Sequence, residues 1–124
     1  MTYTFTLNDL FYMAQGALIT FVLTITSGII GSIVGFFVGW VRTSNSKIFY
    51  HLLGLYIDII RSVPLILQFV LFNSFMAIAG YPMSPFFSGI LTLSVYISGY
   101  VAEVVKAGID SVPKVTRNSS RGLG

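Results

Sequence analysis

The sequence predicts an all-α integral membrane protein with three transmembrane helices. Two long stretches, residues 10–41 and 62–102, contain no Asp, Glu, Lys, Arg or His. An apolar helix needs about 20 residues to cross the hydrocarbon core of a bilayer. The first stretch has room for one such helix, and the second has room for two with a turn at residues 80–85 between them. A soluble helix carries polar residues on its wet face, so stretches this long exclude a soluble fold.

The composition of the chain supports the same class. Hydrophobic residues make up 55% of the 124 residues and charged residues only 9%, whereas charged residues are about 25% of a typical soluble domain. We therefore expect residues 1–124 to form a single transmembrane domain. The net charge of +3 comes from Lys and Arg spread over the predicted loops, which does not indicate a nucleic-acid surface. The chain has no cysteine, so neither a disulfide framework nor a thiolate metal site is expected.

The first predicted span covers residues 16–41 and presents a face of small residues. Gly31, Gly35 and Gly39 are spaced by four, which places them on one side of a helix. Small residues at this spacing let a second membrane helix approach closely. They indicate helix packing and carry no information on function. The third predicted span has a similar small face, made by Ser94, Ser98 and Ala102.

The second predicted span covers residues 62–79 and is interrupted by Pro64. Residues 47–60 either form an interfacial helix or extend this span downward, and both alternatives place a discontinuity at Pro64. Gln68 follows one turn later, where a buried amide must find a hydrogen-bond partner. A broken helix beside a polar side chain is typical of substrate sites at the middle of a membrane. Arg61 either reaches the interface or pairs with Asp58.

The third predicted span covers residues 86–106 and carries a polar stripe. Thr92, Tyr96, Tyr100 and Glu103 follow spacings of four, four and three. Glu103 is open to two interpretations: an interfacial charge that reaches water or pairs with Lys106, or a residue that lines a polar pathway. The hydroxyls of the deeper tyrosines need partners, which favours the pathway.

The placement of charges predicts the orientation of the chain. The segment before the first span carries only Asp9, whereas the loop after it carries Arg42 and Lys47. Cytoplasmic segments are enriched in Lys and Arg, so we expect the N-terminus outside and the C-terminus inside. The positive charges of the C-terminal tail agree, at Lys106, Lys114, Arg117 and Arg121. No catalytic set, metal-ligand cluster or phosphate loop is visible, and we do not expect an enzyme.

Two segments resemble a known family. Residues 61–68 (Arg-Ser-Val-Pro-Leu-Ile-Leu-Gln) are similar to the Arg-Gly-Thr-Pro-Leu-x-x-Gln signature of polar amino-acid ABC transporter permeases of the histidine, arginine and glutamine uptake type. Residues 99–103 and 108–114 resemble the segment that leads into the cytoplasmic coupling loop of these permeases. Residues 16–26 resemble the opening of their first core span, so the resemblance extends in order over residues 16–124.

The resemblance implies the first part of a five-span importer fold in a bacterial inner membrane. It also implies three protein partners: a second permease subunit (identical or different), a cytoplasmic ABC ATPase, and a periplasmic or lipid-anchored amino-acid-binding protein. ATP is then used by the ATPase, and no cofactor is expected on this chain. Gln68, Tyr96, Tyr100 and Glu103 are the expected pathway residues. The transported amino acid is not indicated.

The chain departs from the family pattern at three places. Ser62 and Val63 replace Gly-Thr, and Tyr96 replaces the more usual Asn or His. In the coupling loop the Glu-Ala-Ala of the motif is replaced, and Gly124 matches the glycine of that motif; the replacing residues are Asn118, Ser119 and Ser120. We expect a permease truncated within residues 114–124 and inactive alone. The alternative is a small three-span structural or assembly protein in which Gln68 and Glu103 only join helices.

Overall fold

The computed structural model describes residues 4–43 and 46–112, and over these residues it contains four α-helices and no strand. The all-α prediction is confirmed. Two of the helices are long and apolar enough to cross a membrane, and a third crossing exists if the two shorter helices count as one bent span. In chain order the helices are α1 (Leu7–Arg42), α2 (Lys47–Ser62), α3 (Leu65–Ile78) and α4 (Pro85–Asp110).

Helix α1 begins well before the predicted start at residue 16, because a capping box starts it. The backbone N–H of Thr6 donates to Asp9 Oδ2 at 2.9 Å, and the backbone N–H of Asp9 donates to Thr6 Oγ1. These bonds satisfy donors that a helix N-terminus otherwise leaves free. The helix then continues for 36 residues without a proline, to a length of about 54 Å at 1.5 Å per residue.

Helices α2 and α3 form one sharply bent pair. Helix α2 ends at Ser62 and α3 begins at Leu65, and their axes are bent by 105°. Pro64 stands at the break, where its missing N–H and its ring prevent the helix from continuing. Helix α3 is therefore shorter than the predicted span of residues 62–79. Its 14 residues extend only about 21 Å, less than the hydrocarbon core of about 30 Å.

Helices α1 and α4 pack along the two small faces. A Cβ atom placed on Gly35 would lie 2.7 Å from the carbonyl oxygen of Ser98 and 2.7 Å from the Cβ atom of Val101. At Gly31 the corresponding obstacle is the carbonyl oxygen of Ser94 at 2.7 Å, and at Gly39 it is that of Ala102 at 2.6 Å. No side chain fits between the two backbones, which is the close approach that small residues permit in membranes.

We call the contact of Gly31, Gly35 and Gly39 with α4 the α1–α4 seam. Its register shows that α1 and α4 run parallel. Contacts advance in the same direction along both helices, from Gly31 against Ser94 to Gly39 against Ala102. The Ser27 hydroxyl continues the series with a hydrogen bond to the carbonyl of Ile90. Two parallel spans lie in one membrane only if the chain between them crosses back. The bent α2–α3 pair connects them, and by length and composition it is the candidate for this returning crossing.

Candidate functional site

One carboxylate joins three helices at the end of the bundle where α1 and α4 meet α2. Arg42, the last residue of α1, donates from Nη1 to Glu103 Oε2 of α4 at 3.1 Å. Arg61 Nη1 of α2 lies 3.8 Å from Glu103 Oε1. The Arg42 side chain is only 13% exposed, whereas those of Glu103 and Arg61 are 40% exposed. We call this group of Arg42, Arg61 and Glu103 the Glu103 joint.

Aromatic rings complete the joint. The guanidinium carbon of Arg42 lies 5.1 Å from the ring centre of Tyr50, and that of Arg61 lies 5.4 Å from the ring centre of Tyr100. Both distances are within the range of cation–π attraction. Gly54 of α2 leaves room for the Arg42 guanidinium, because a Cβ atom there would lie 3.0 Å from Arg42 Nη2.

The ion pairs of Glu103 and Arg61 differ from the partners within the same helix that the sequence suggested, which were Lys106 and Asp58. Lys106 Nζ lies 2.7 Å from Asp110 Oδ2, four residues along the same helix, and does not take Glu103 as its partner. Arg61 pairs with Glu103 of another helix instead of Asp58. Partners at i+3 or i+4 are visible in a sequence, whereas a partner on another helix depends on how the helices pack.

A tyrosine pair extends the polar groups from the joint toward the middle of α4. The Tyr96 hydroxyl lies 3.3 Å from the Tyr100 hydroxyl, and the two ring centres are 4.9 Å apart. Tyr100 also contacts Arg61, so Tyr96, Tyr100 and Glu103 form a continuous strip. Thr92, the fourth member of the predicted stripe, is buried, and its hydroxyl donates to the carbonyl of Ser88 within α4.

The Gln68 side chain forms hydrogen bonds with backbone carbonyls and not with a second side chain. Its Nε2 donates to the carbonyl oxygens of Ile60 and Val63, at 2.8 Å each. The side chain also lines a cavity of about 260 Å³ between α3 and α4, together with Thr92, Phe72, Leu91 and Val95. Of the predicted pathway residues, three therefore share one strip on α4, and Gln68 belongs to the break between α2 and α3.

The predicted coupling residues Asn118, Ser119, Ser120 and Gly124 lie outside the described residues. Within the described part of the chain, no group of three or more His, Cys, Asp or Glu residues could hold a metal ion.

Sequence reasoning missed Arg42 as the main partner of Glu103, although a signal for it exists. If the small face of α1 is aligned with that of α4, Gly31 matches Ser94 and Gly39 matches Ala102. The same register brings Arg42 within one turn of Glu103. A second missed contact lies nearby, where the Tyr56 hydroxyl of α2 is 3.0 Å from the Ser98 hydroxyl of α4.

Fold and site together define a helical membrane protein with charged groups gathered at one end of its spans and a polar strip leading inward. The chain belongs to the family of binding-protein-dependent transport system inner membrane components, whose model matches residues 29–124. This membership confirms the resemblance found in the sequence motifs.

Similar proteins are named for amino-acid transport. The arginine transport system permease protein of Bacillus subtilis is 26% identical over 120 residues, which cover 96% of this chain and 55% of that protein. The L-cystine transport system permease protein of the same organism is 32% identical over 103 residues, which cover 82% and 44%. The chain thus spans about half the length of the curated relatives it matches.

A solved structure shares the fold. It is the crystal structure of an amino acid ABC transporter with histidines, which matches with a TM-score of 0.84 and 31% sequence identity. The match covers 100% of this chain and 59% of that chain. The break between α2 and α3 and the parallel α1–α4 seam therefore belong to a fold found in a transporter of this class.

Proposed function

We propose that this chain is a membrane-spanning subunit of an ATP-driven importer for polar amino acids and forms part of its translocation pathway. The observation that carries the proposal is the match of the whole chain to an amino acid ABC transporter at a TM-score of 0.84. The names of the relatives, which include arginine and cystine permeases, support the substrate class.

Within this proposal, the strip of Tyr96, Tyr100 and Glu103 lines the pathway. Phenol hydroxyls both donate and accept hydrogen bonds, and a carboxylate accepts them, which suits the ammonium and carboxylate groups of an amino acid. The half-exposed Arg61 adds a cation beside the strip. Polar groups inside a membrane protein usually face a cavity or a partner, and this strip begins at the charged end of the bundle.

The proposed partners are a second permease subunit (identical or different), a cytoplasmic ABC ATPase and a periplasmic or lipid-anchored amino-acid-binding protein. The family description supports dependence on a binding protein. The resemblance of residues 108–124 to a coupling loop supports contact with the ATPase, through Asn118, Ser119, Ser120 and Gly124. Such contact would convert hydrolysis into rigid-body movement of the spans.

We place the chain in the bacterial inner membrane with its N-terminus outside. The positive charges of Arg42, Lys47, Arg61 and Lys106 support this orientation, because cytoplasmic segments are rich in Lys and Arg. The chain has no native cysteine, so a membrane-impermeant maleimide reports only introduced ones. In intact cells it should label an Asn8→Cys variant and leave a Ser111→Cys variant unlabelled; the reverse pattern contradicts the orientation.

The function is tested by uptake in the source bacterium. Deleting the gene should reduce uptake of at least one radiolabelled amino acid from a panel of arginine, histidine, glutamine, glutamate and cystine, and the wild-type gene should restore it. A Tyr100→Phe variant should restore uptake less well at an equal amount of membrane protein. Tyr81→Phe is the matched control, since Tyr81 lies in the turn before α4 and is 72% exposed. Unchanged uptake of the whole panel after deletion contradicts the proposal.

The alternative is a structural or assembly membrane protein without transport activity. The observation that favours it is that Gln68 and Glu103 are both bonded within the chain. Under this alternative, deletion leaves amino-acid uptake intact, and Glu103→Gln lowers only the amount of protein in the membrane.

A further inference from the structure

The break between α2 and α3 leaves backbone carbonyls without their usual helical donors. In a continuous helix the carbonyl of Ile60 would accept a hydrogen bond from the N–H of residue 64, but Pro64 has no N–H. The carbonyl of Val63 lies at the bend itself, past the last residue of α2. The first hydrogen bond of α3 runs from Gln68 N to the carbonyl of Pro64, so it serves neither Ile60 nor Val63.

The Gln68 side chain supplies donors to both of these carbonyls. Its Nε2 atom lies 2.8 Å from the oxygen of Ile60 and 2.8 Å from the oxygen of Val63. An amide NH₂ group has two protons, and both are used here. The two acceptors fix the orientation of the amide, because only its nitrogen can donate. Where no water reaches the backbone, a carbonyl left without a donor destabilises the structure.

We propose that Gln68 is a positioning residue that holds the 105° bend between α2 and α3 by replacing the N–H that Pro64 lacks. Both protons of the amide nitrogen are used in these bonds, so Gln68 has none to donate to a substrate carboxylate, while its amide oxygen can still accept a hydrogen bond. Only one part of this proposal rests on the proposed function, namely that the bend positions α3 within an importer. The hydrogen bonds to Ile60 and Val63 are independent of transport.

The bend is measured as a distance between two spin labels in the purified protein in nanodiscs. Labels on Ile48→Cys and Ile78→Cys report the outer ends of α2 and α3, and both positions are well exposed, at 71% and 87%. With 1.5 Å per residue, the 105° bend separates the two backbone positions by about 25 Å, whereas a straight pair would separate them by about 45 Å. Double electron–electron resonance resolves this difference.

Gln68→Leu should shift the distance distribution upward or broaden it. Asn73→Leu is the matched control, because Asn73 also has a side-chain amide on α3, but its Nδ2 donates to Phe69 of the same helix turn. This control should keep the wild-type distance. A wild-type distribution in folded Gln68→Leu protein overturns the proposal, as does loss of uptake in that variant with the bend unchanged.

Gln68→Glu provides a second test if the leucine variant does not fold. An ionised carboxylate cannot donate to either carbonyl, and a protonated one donates to one of them. The label distance in Gln68→Glu should therefore lie near the wild-type value at low pH and increase as the pH rises. A wild-type distance at every pH overturns the proposal. If deletion of the gene leaves all uptake unchanged, the proposed function fails, while the distance measurements still decide the role of Gln68.

Discussion

The α1–α4 pair and the α2–α3 pair are held in opposite ways. Along α1 and α4, the close contact depends on glycine, because Gly31, Gly35 and Gly39 have no side chain to keep the two backbones apart. At the α2–α3 break, the geometry depends on a side chain that is present, because Gln68 bonds two backbone carbonyls. The first pair consists of two unbroken parallel helices, and the second is bent by 105°.

The difference follows from the physics of a membrane. Lipid supplies no hydrophobic force between helices, so straight spans associate through close packing of small residues. A broken span has a different problem, because hydrocarbon offers no partner to free backbone groups. The two pairs should therefore fail under opposite changes: added volume should separate α1 from α4, and a lost donor should disturb the bend.

The largest effect is expected from added volume in the seam. Gly35→Leu places a side chain where even a Cβ atom would lie 2.7 Å from Ser98 backbone. Because a backbone cannot move aside as a side chain can, we expect a loss of about 3 kcal/mol or more. Thermal unfolding in detergent, followed by circular dichroism, measures it. The control is Gly28→Leu on the same helix, where a Cβ atom would meet nothing within 4 Å. Equal losses of stability in both variants would contradict the claim that α1 and α4 need glycine for their close packing.

A smaller effect is expected at the Glu103 joint. Glu103→Gln removes the charge that balances Arg42, whose side chain is 13% exposed. The glutamine oxygen can still accept a hydrogen bond from Arg42, but that bond loses its charge assistance, so we expect a loss of about 1 kcal/mol. Asp110→Asn is the matched control, because it breaks the Lys106 pair within one helix turn, where exposed pairs contribute about 0.3–0.5 kcal/mol. The same unfolding measurement compares the two variants. A loss of stability no larger in Glu103→Gln than in Asp110→Asn would contradict the claim that the Glu103 joint stabilises the packing of the three helices.

The sequence predicted the class of fold and much of the packing. Charge-free stretches indicate membrane helices because charges are costly in lipid. The small faces around Gly35 and Ser98 were visible as spacings of four, and Pro64 marked a discontinuity because proline has no N–H. These are local properties of the chain, so they can be read before any contact between helices is known.

The sequence could not assign partners across helices. Glu103 has a visible neighbour in Lys106 at i+3, but its actual partners are Arg42 and Arg61, which pack beside it from α1 and α2. Nor did it identify the hydrogen-bond acceptors of Gln68. These become visible only when the 105° bend brings the amide to the carbonyl of Ile60 in α2.

The most direct test of the difference between the two pairs is amide hydrogen exchange, followed by mass spectrometry, on wild-type and Gln68→Leu protein in detergent. Exchange depends on local opening of backbone hydrogen bonds. We expect faster exchange in residues 60–68 of the variant, with residues 31–39 and 94–102 unchanged. Unchanged exchange at the break, or an equal increase along the α1–α4 seam, would contradict the claim that the two pairs are held by separate means.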